Sequence, residues 1–278
     1  MSKVIGHGFR FLLWSKVDAS GTMIGTGAMP TAGAANLVRF GRLYGARQFP
    51  MSGTEPQVFS PRGDDGVLTT FRYGADALAN GSVQLGVRDS EFEATVQGTK
   101  VSTKGDFSFG LQAPKDLGNQ DIALIKIRQA AGYPAQNAKW EFDVLPITQI
   151  TPTPSEFSDR SDATYAFTYN AKMASVTPWG ESIDQTTYGN SASTAISGDG
   201  PDPIQVFFGI GDGTRVEFAF VIDITSVIGV WVNGTLIDPA DYTVDVATSG
   251  AHDITFDTAP AIGAKFHILT GVPIGSLE

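Results

Sequence analysis

Short apolar runs separated by Gly, Pro, Asn and Asp fill the chain, and most alternate with a period of two. That pattern predicts strands and tight turns. Phe9–Val17 (FRFLLWSKV) is β-rich and stops at the turn Asp18-Ala-Ser-Gly21. In Leu37–Tyr44, Val38, Phe40 and Arg42 alternate with Leu37, Arg39 and Leu43. Val67–Tyr73, Lys100–Leu111, Ile122–Gln129, Lys139–Pro146 and Thr164–Asn170 read as further strands. For Ile122–Gln129 the β-branched content favours strand over helix. Ser82–Val96 carries two apolar phases, Val83/Leu85/Val87 and then Phe92/Ala94/Val96. The slip at Arg88–Glu91 predicts a hairpin turn or a bulge. Gly74–Asn80 reads as one or two helical turns. Arg47–Gly66 is long, holds three Pro and shows no strand pattern, a length that is usually functional or mobile.

A second group of short strands follows in Phe207–Gly213, Arg215–Val221, Val227–Asn233, Tyr242–Val246, Asp253–Phe256 and Lys265–Leu269. Asn233-Gly234 marks a two-residue hairpin, because both central positions of a type I′ turn need positive φ. Between the groups, residues 189–203 are small, polar and Gly/Pro-containing, the composition of a linker. The expected organisation is residues 1–190 as one domain, 191–203 as linker and 204–278 as a small β-sandwich.

Charge supports that division. The formal net charge is −10, and residues 201–278 hold only Arg215 and Lys265 against ten acids. No Lys/Arg block exists to grip phosphates, which disfavours tight nucleic-acid binding. With no Cys there is no disulfide framework, thiolate metal site or Cys nucleophile. His7, His252 and His267 are far apart in sequence, and no cofactor is expected. No apolar run approaches the ~20 residues that span a bilayer, and the four apolar residues after Arg10 are too few for a signal-peptide core. The expectation is a chain made in a cytoplasm, without a membrane partner. Gly209-Ile-Gly-Asp-Gly213 precedes a strand rather than a helix, so it is not a dinucleotide fingerprint. No Walker A or Gly-x-Ser-x-Gly motif occurs. Asp64-Asp65 and Asp212 lack EF-hand spacing and read as turn residues. The chain is read as non-enzymatic.

An ordered set of segments carries a family resemblance: Gly66-Val-Leu-Thr-Thr-Phe71, Gly81-Ser-Val-Gln-Leu85, Ala123-Leu-Ile-Lys-Ile127, Trp140-Glu-Phe-Asp-Val-Leu-Pro146, Ile147-Thr-Gln-Ile150, Phe157-Ser-Asp-Arg160, Tyr165-Ala-Phe-Thr-Tyr169 and Thr177-Pro-Trp-Gly180. Over residues 1–185 the chain resembles the major tail tube proteins of long-tailed bacteriophages (Caudovirales type). The stretch Gly-Asp-Gly, Arg-x-Glu-Phe, Val-Asn-Gly and Asp-Tyr-Thr-Val in residues 211–244 resembles a β-module of phage tail fibres and other virion proteins. The first resemblance implies a mainly β tail-tube-type sandwich or barrel with one or two short helices. Hexameric rings would stack into a hollow conduit for DNA ejection. It also implies as partners the chain itself, a tape-measure protein in the lumen, tail terminator and baseplate or tail-tip proteins, and double-stranded DNA that passes without tight binding. The location would be the virion tail. The second resemblance implies a small appended Ig-like module.

Within that picture two sets of residues stand out. Asp89, Glu91 and Glu93 alternate, so on an extended strand all three would face one side and could form a phosphate-repelling lumen wall. A plain solvated strand face is the competing explanation, and charge alternation alone favours it. The long segment bearing Arg47, Arg62, Asp64 and Asp65 would suit an inter-ring contact loop. The rival functions are a receptor-binding, baseplate or tail-fibre protein, and a polysaccharide depolymerase. The linker and the charge step predict that residues 200–278 are dispensable for assembly.

Overall fold

The computed structural model describes residues 6–43, 58–59, 62–63, 66–67, 71–72, 80–86, 89–99, 101–104, 107–111, 120–130, 139–153, 165–171, 174–176, 182–187, 190–195, 204–246 and 252–272. The protein is mainly β. In chain order come β1 (Gly6–Val17), β2 (Met23–Gly25), β3 (Val38–Arg39) and β4 (Gly41–Leu43). Next, β5 (Val58–Phe59), β6 (Arg62–Gly63), β7 (Gly66–Val67) and β8 (Phe71–Arg72) form two short pairs, β5 with β8 and β6 with β7. The segment expected to lack strands therefore contains them. Then follow β9 (Asn80–Leu85), α1 (Ser90–Val96), β10 (Val101–Lys104), β11 (Phe107–Leu111), β12 (Ile122–Ala130), β13 (Lys139–Thr153) and β14 (Tyr165–Ala171). After β15 (Ala174–Val176), β16 (Ser182–Thr187) and β17 (Asn190–Ala195) come β18 (Ile204–Ile210), β19 (Glu217–Ala219) and β20 (Ser226–Val232). The chain ends with β21 (Thr235–Leu236), β22 (Tyr242–Asp245), β23 (Asp253–Phe256) and β24 (Lys265–Gly271).

A large antiparallel sheet runs β2-β1-β12-β13-β14-β9, with β4 added to β1 and β17 to β13. Among the described strands this order is open, so the barrel alternative does not hold. The 15-residue β13 organises one side of the sheet. Its partner β12 lies along residues 140–148, while the opposite side takes β17 along 139–144 and β14 along 148–153. Residues 190–195, which composition assigns to the linker, are thus a sheet strand. Small polar side chains give no periodicity in the sequence, but their backbone pairs as well as any.

The segment after Leu37 feeds two sheets. β3 pairs with β18, and β4 pairs with β1. Between them Phe40 is buried. Gly41 permits the switch, because a Cβ there would sit 2.1 Å from Nε1 of the buried Trp14.

The C-terminal strands form two more sheets, β21-β20-β24-β18-β3 and β19-β23-β22. The first lies between the large sheet and the second. On one of its faces Val206, Phe208 and Leu269 pack with Leu13, Met23, Phe40 and Ile125. On its other face Phe207, Phe266 and Ile268 pack with Phe218, Ile254 and Phe256. Burial on both sides explains why β18 (IQVFFGI) and β24 (KFHILTG) are near-continuous apolar runs without alternation. The opposite face of the large sheet packs Leu12, Trp14, Leu124, Ile150 and Phe167 under Phe92 and Val96 of α1.

Helix α1 replaces the expected turn or bulge near residue 90. The Asp89 carboxylate caps it, accepting from the Glu91 and Phe92 amides. Glu91 and Glu93 then lie in the first turn, where acids favour the helix dipole. The buried side chains of Phe92, Thr95 and Val96 lie at helical spacing on one face. The Phe92/Ala94/Val96 alternation in the sequence was coincidental with that spacing.

Candidate assembly surfaces

Four surfaces bear on function: the capped helix, the turn at Asp18, the outer faces of the sheets, and the sheet edges. The helix holds the residues singled out for a lumen wall. They do not share the face of an extended strand: Asp89 is a half-buried cap, Glu91 is exposed and Glu93 is half-buried. Desolvation and the neighbouring Asp89 charge raise the Glu91 carboxyl, with Lys16 and Arg39 opposing. Because the three acids lie at the cap and in the first turn of a helix, the period-two argument for a repelling wall falls. Of the loop candidates, Arg62 lies on β6 in a hairpin with β7. Arg47, Asp64 and Asp65 lie outside the described residues.

The turn after β1 ties the large sheet to the C-terminal sheets. Oδ1 of Asp18 accepts from the Ser20 and Thr22 amides at 2.8 and 2.9 Å. Oδ2 accepts from Lys265 Nζ at 2.5 Å. The lysine also donates to Ser20 Oγ and Thr22 Oγ1. Its backbone is fixed in turn by Asn233, whose Oδ1 accepts from the Lys265 amide at 2.9 Å. Asn233 (φ 50°) and Gly234 (φ 84°) form the hairpin turn that the sequence predicts. Burial raises the Asp18 carboxyl, but the hydrogen bonds from Lys265, Ser20 and Thr22 and the lysine charge outweigh it, so it lies below its ordinary value. Nearby, buried His267 donates from Nε2 to the Met23 carbonyl at 2.8 Å. Buried Gln205 donates to the Phe40 carbonyl at 2.8 Å.

An open hollow of about 730 Å³ adjoins this turn, lined by Lys16, Asp18, Ser20, Met29, Asp121 and Ile147 among others. Its best-placed carboxylate, Asp18, is already engaged by Lys265. The Ser20 hydroxyl, also on the lining, donates to Asp18 Oδ1 at 2.6 Å. Asp212 is a turn residue, as its spacing suggests: Oδ1 accepts from the Thr214 and Arg215 amides at 2.8 and 2.7 Å. Among the described residues no group of three or more His, Asp and Glu could hold a metal ion. None of the described helices is long and apolar enough to cross a membrane.

Two solvent-facing sheet surfaces among the described residues differ in charge. On the outer face of β19-β23-β22, Glu217 shares a row with Thr255 and Thr243, and Ala219 shares a row with Asp253 and Asp245. Asp257 and Asp241 flank it, both exposed. On the large sheet, the bare part of the side that packs against β18 and β24 presents Gln149, Thr151, Thr168, Asn170, Ser82 and Gln84, all exposed. No charged residue is among them.

The edges differ as well. Among the described strands, β9 pairs only with β14 and β17 only with β13. Each is six residues long and uncharged. Within the three larger sheets the other edge strands, β2, β3, β4, β19 and β21, run two or three residues, and the four-residue β22 carries Asp245, while the separate two-stranded sheets leave longer edges at β11 and at β16, which carries Asp184. No sequence signal marks an edge as open, because that depends on which strands the fold places beside it.

No family model matches the chain, and no curated protein matches it either.

Proposed function

We propose that this chain is a non-catalytic structural subunit of a phage tail, of the major tail tube type, which works by polymerising. Copies would join into hexameric rings, and rings would stack into a hollow tube that encloses a tape-measure protein and later passes double-stranded DNA. Terminator and baseplate or tail-tip proteins would end the tube. The C-terminal strands would form an Ig-like sandwich on each subunit. The ordered Trp/Pro/Tyr/Gly segments of residues 1–185 support this reading, as does a mainly antiparallel β architecture. One observation carries it furthest: among the described strands the large sheet is open, and two of its outer strands lack the charge, brevity or bulge that keeps solitary sheets from pairing. A subunit that works alone has reason to blunt such edges, whereas one that works in a ring has reason to keep them.

Negative-stain electron microscopy of the purified, concentrated chain tests the reading. Uniform hollow tubes are expected. Isolated trimeric spikes would replace it with a receptor-binding or fibre role, and release of reducing sugar from capsular polysaccharide would replace it with a depolymerase.

A further inference from the structure

We infer that the open side of the large sheet formed by β9 and β17 is the edge to which a second copy of this chain adds a strand. This deepens the tail tube reading and rests on it. The register sets the geometry. β14 and β17 both lie on the side of β13 opposite β12, one above the other, and β9 continues outward from β14. The β9–β14 pairing runs from Leu85↔Tyr165 to Asn80↔Asn170 without a register shift. A regular strand of this length offers its outward N–H and C=O groups at every second residue, and a bulge would misplace them.

Charge points to the occupant. Each copy has a formal net charge of −10, so acidic surfaces of two copies repel, and an uncharged edge carries no such penalty. Asn80–Leu85 (NGSVQL) and Asn190–Ala195 (NSASTA) carry no ionisable group. The exposed residues beside β9, Thr168, Asn170, Thr151 and Gln149, carry none either. The alternative edge at β22 ends on Asp245, which faces Asp253 across the pair. The same acidity that keeps copies apart over β19-β23-β22 would steer them to the β9 side.

The test uses the full chain. Ser82 and Gln84 are exposed and point away from the core that holds Val83 and Leu85. The double variant Ser82→Asp/Gln84→Asp puts like charges on the meeting edge and is expected to abolish polymer while keeping the monomer's circular dichroism. Thr243→Asp on β22 is expected to polymerise as the parent does. Because the chain has no Cys, Gln84→Cys carries a nitroxide at one position only. Its spectrum is expected to become immobilised as polymer forms. If the parent never polymerises, the tail tube reading itself fails. If the parent polymerises while the double variant does too, or the nitroxide stays mobile in polymer, this edge is wrong and the reading survives. A label that orders only when another protein is added would assign the edge to a different partner and overturn the inference.

Discussion

The protein shows solvent two β surfaces of opposite character. One, on β19-β23-β22, is acidic and bordered by short or charged edges; the other, on β13-β14-β9, is uncharged and bordered by two regular six-residue edges. Both are exposed and strand-built, so neither burial nor β propensity explains the contrast. The acidic surface accepts a cost, since Asp245 and Asp253 sit directly opposite each other. Among the described strands, the uncharged one leaves an outward row of backbone groups on β9 without a strand partner. The pair of surfaces teaches that repulsion and strand addition can be allotted to different sides of one subunit.

That comparison assumes both surfaces belong to one body, and truncation tests the assumption hardest. Cutting after Ser197 removes Ile204, Val206, Phe208 and Leu269 from the cluster that also holds Leu13, Met23 and Phe40. At about 1.5–3 kcal/mol for each side chain the loss reaches roughly 6–12 kcal/mol, the scale of a whole domain's stability. The expected result is loss of cooperative unfolding in calorimetry. Tubes from the truncated chain would restore the expectation that residues 200–278 are dispensable. Phe208→Ala probes the same joint more gently and should cost about 3–5 kcal/mol by urea denaturation.

The tie at Asp18 gives a smaller, pH-dependent handle. Asp18→Asn should cost about 1–2 kcal/mol at neutral pH, by loss of a charged hydrogen bond. A carboxyl lowered in the folded state stabilises above its ordinary value of 3.8 and loses that contribution as pH falls through the lower folded value. The gap between parent and variant in denaturant titrations should therefore close in strong acid and stay constant from pH 5 to 7 by this linkage. The smallest effect belongs to the acidic face. Asp253→Asn should stabilise the chain by about 0.2–1 kcal/mol, and the gain should shrink when salt is added.

Strands were legible where the alternation or the β-rich runs were strong. β1, β12, β14 and six of the seven C-terminal strands, all but β21, sit close to where the pattern places them. The pattern misled at Ser90–Val96, where Phe92, Ala94 and Val96 mimic a strand. The signals for helix were present there: Asp89 as cap, acids in the first turn, and Phe92 four residues before Val96. The stacking of sheets was only half legible. The unbroken apolar runs of β18 and β24 announce burial on both faces, yet the identity of the second layer depends on Met23, Phe40 and Ile125, far away in sequence. The candidate edges were illegible, since Asn190–Ala195 has the composition of a linker and gains its meaning only from pairing with β13.

Hydrogen exchange at the amides of Asn80–Leu85, compared between dilute and concentrated protein, tests the central claim most directly. In the isolated chain every second amide of β9 points away from β14 and should exchange freely. The account predicts that these outward amides become protected when polymer forms, while amides of β22 are unchanged. Polymer in which the outward amides of β9 still exchange as fast as in the isolated chain would contradict it.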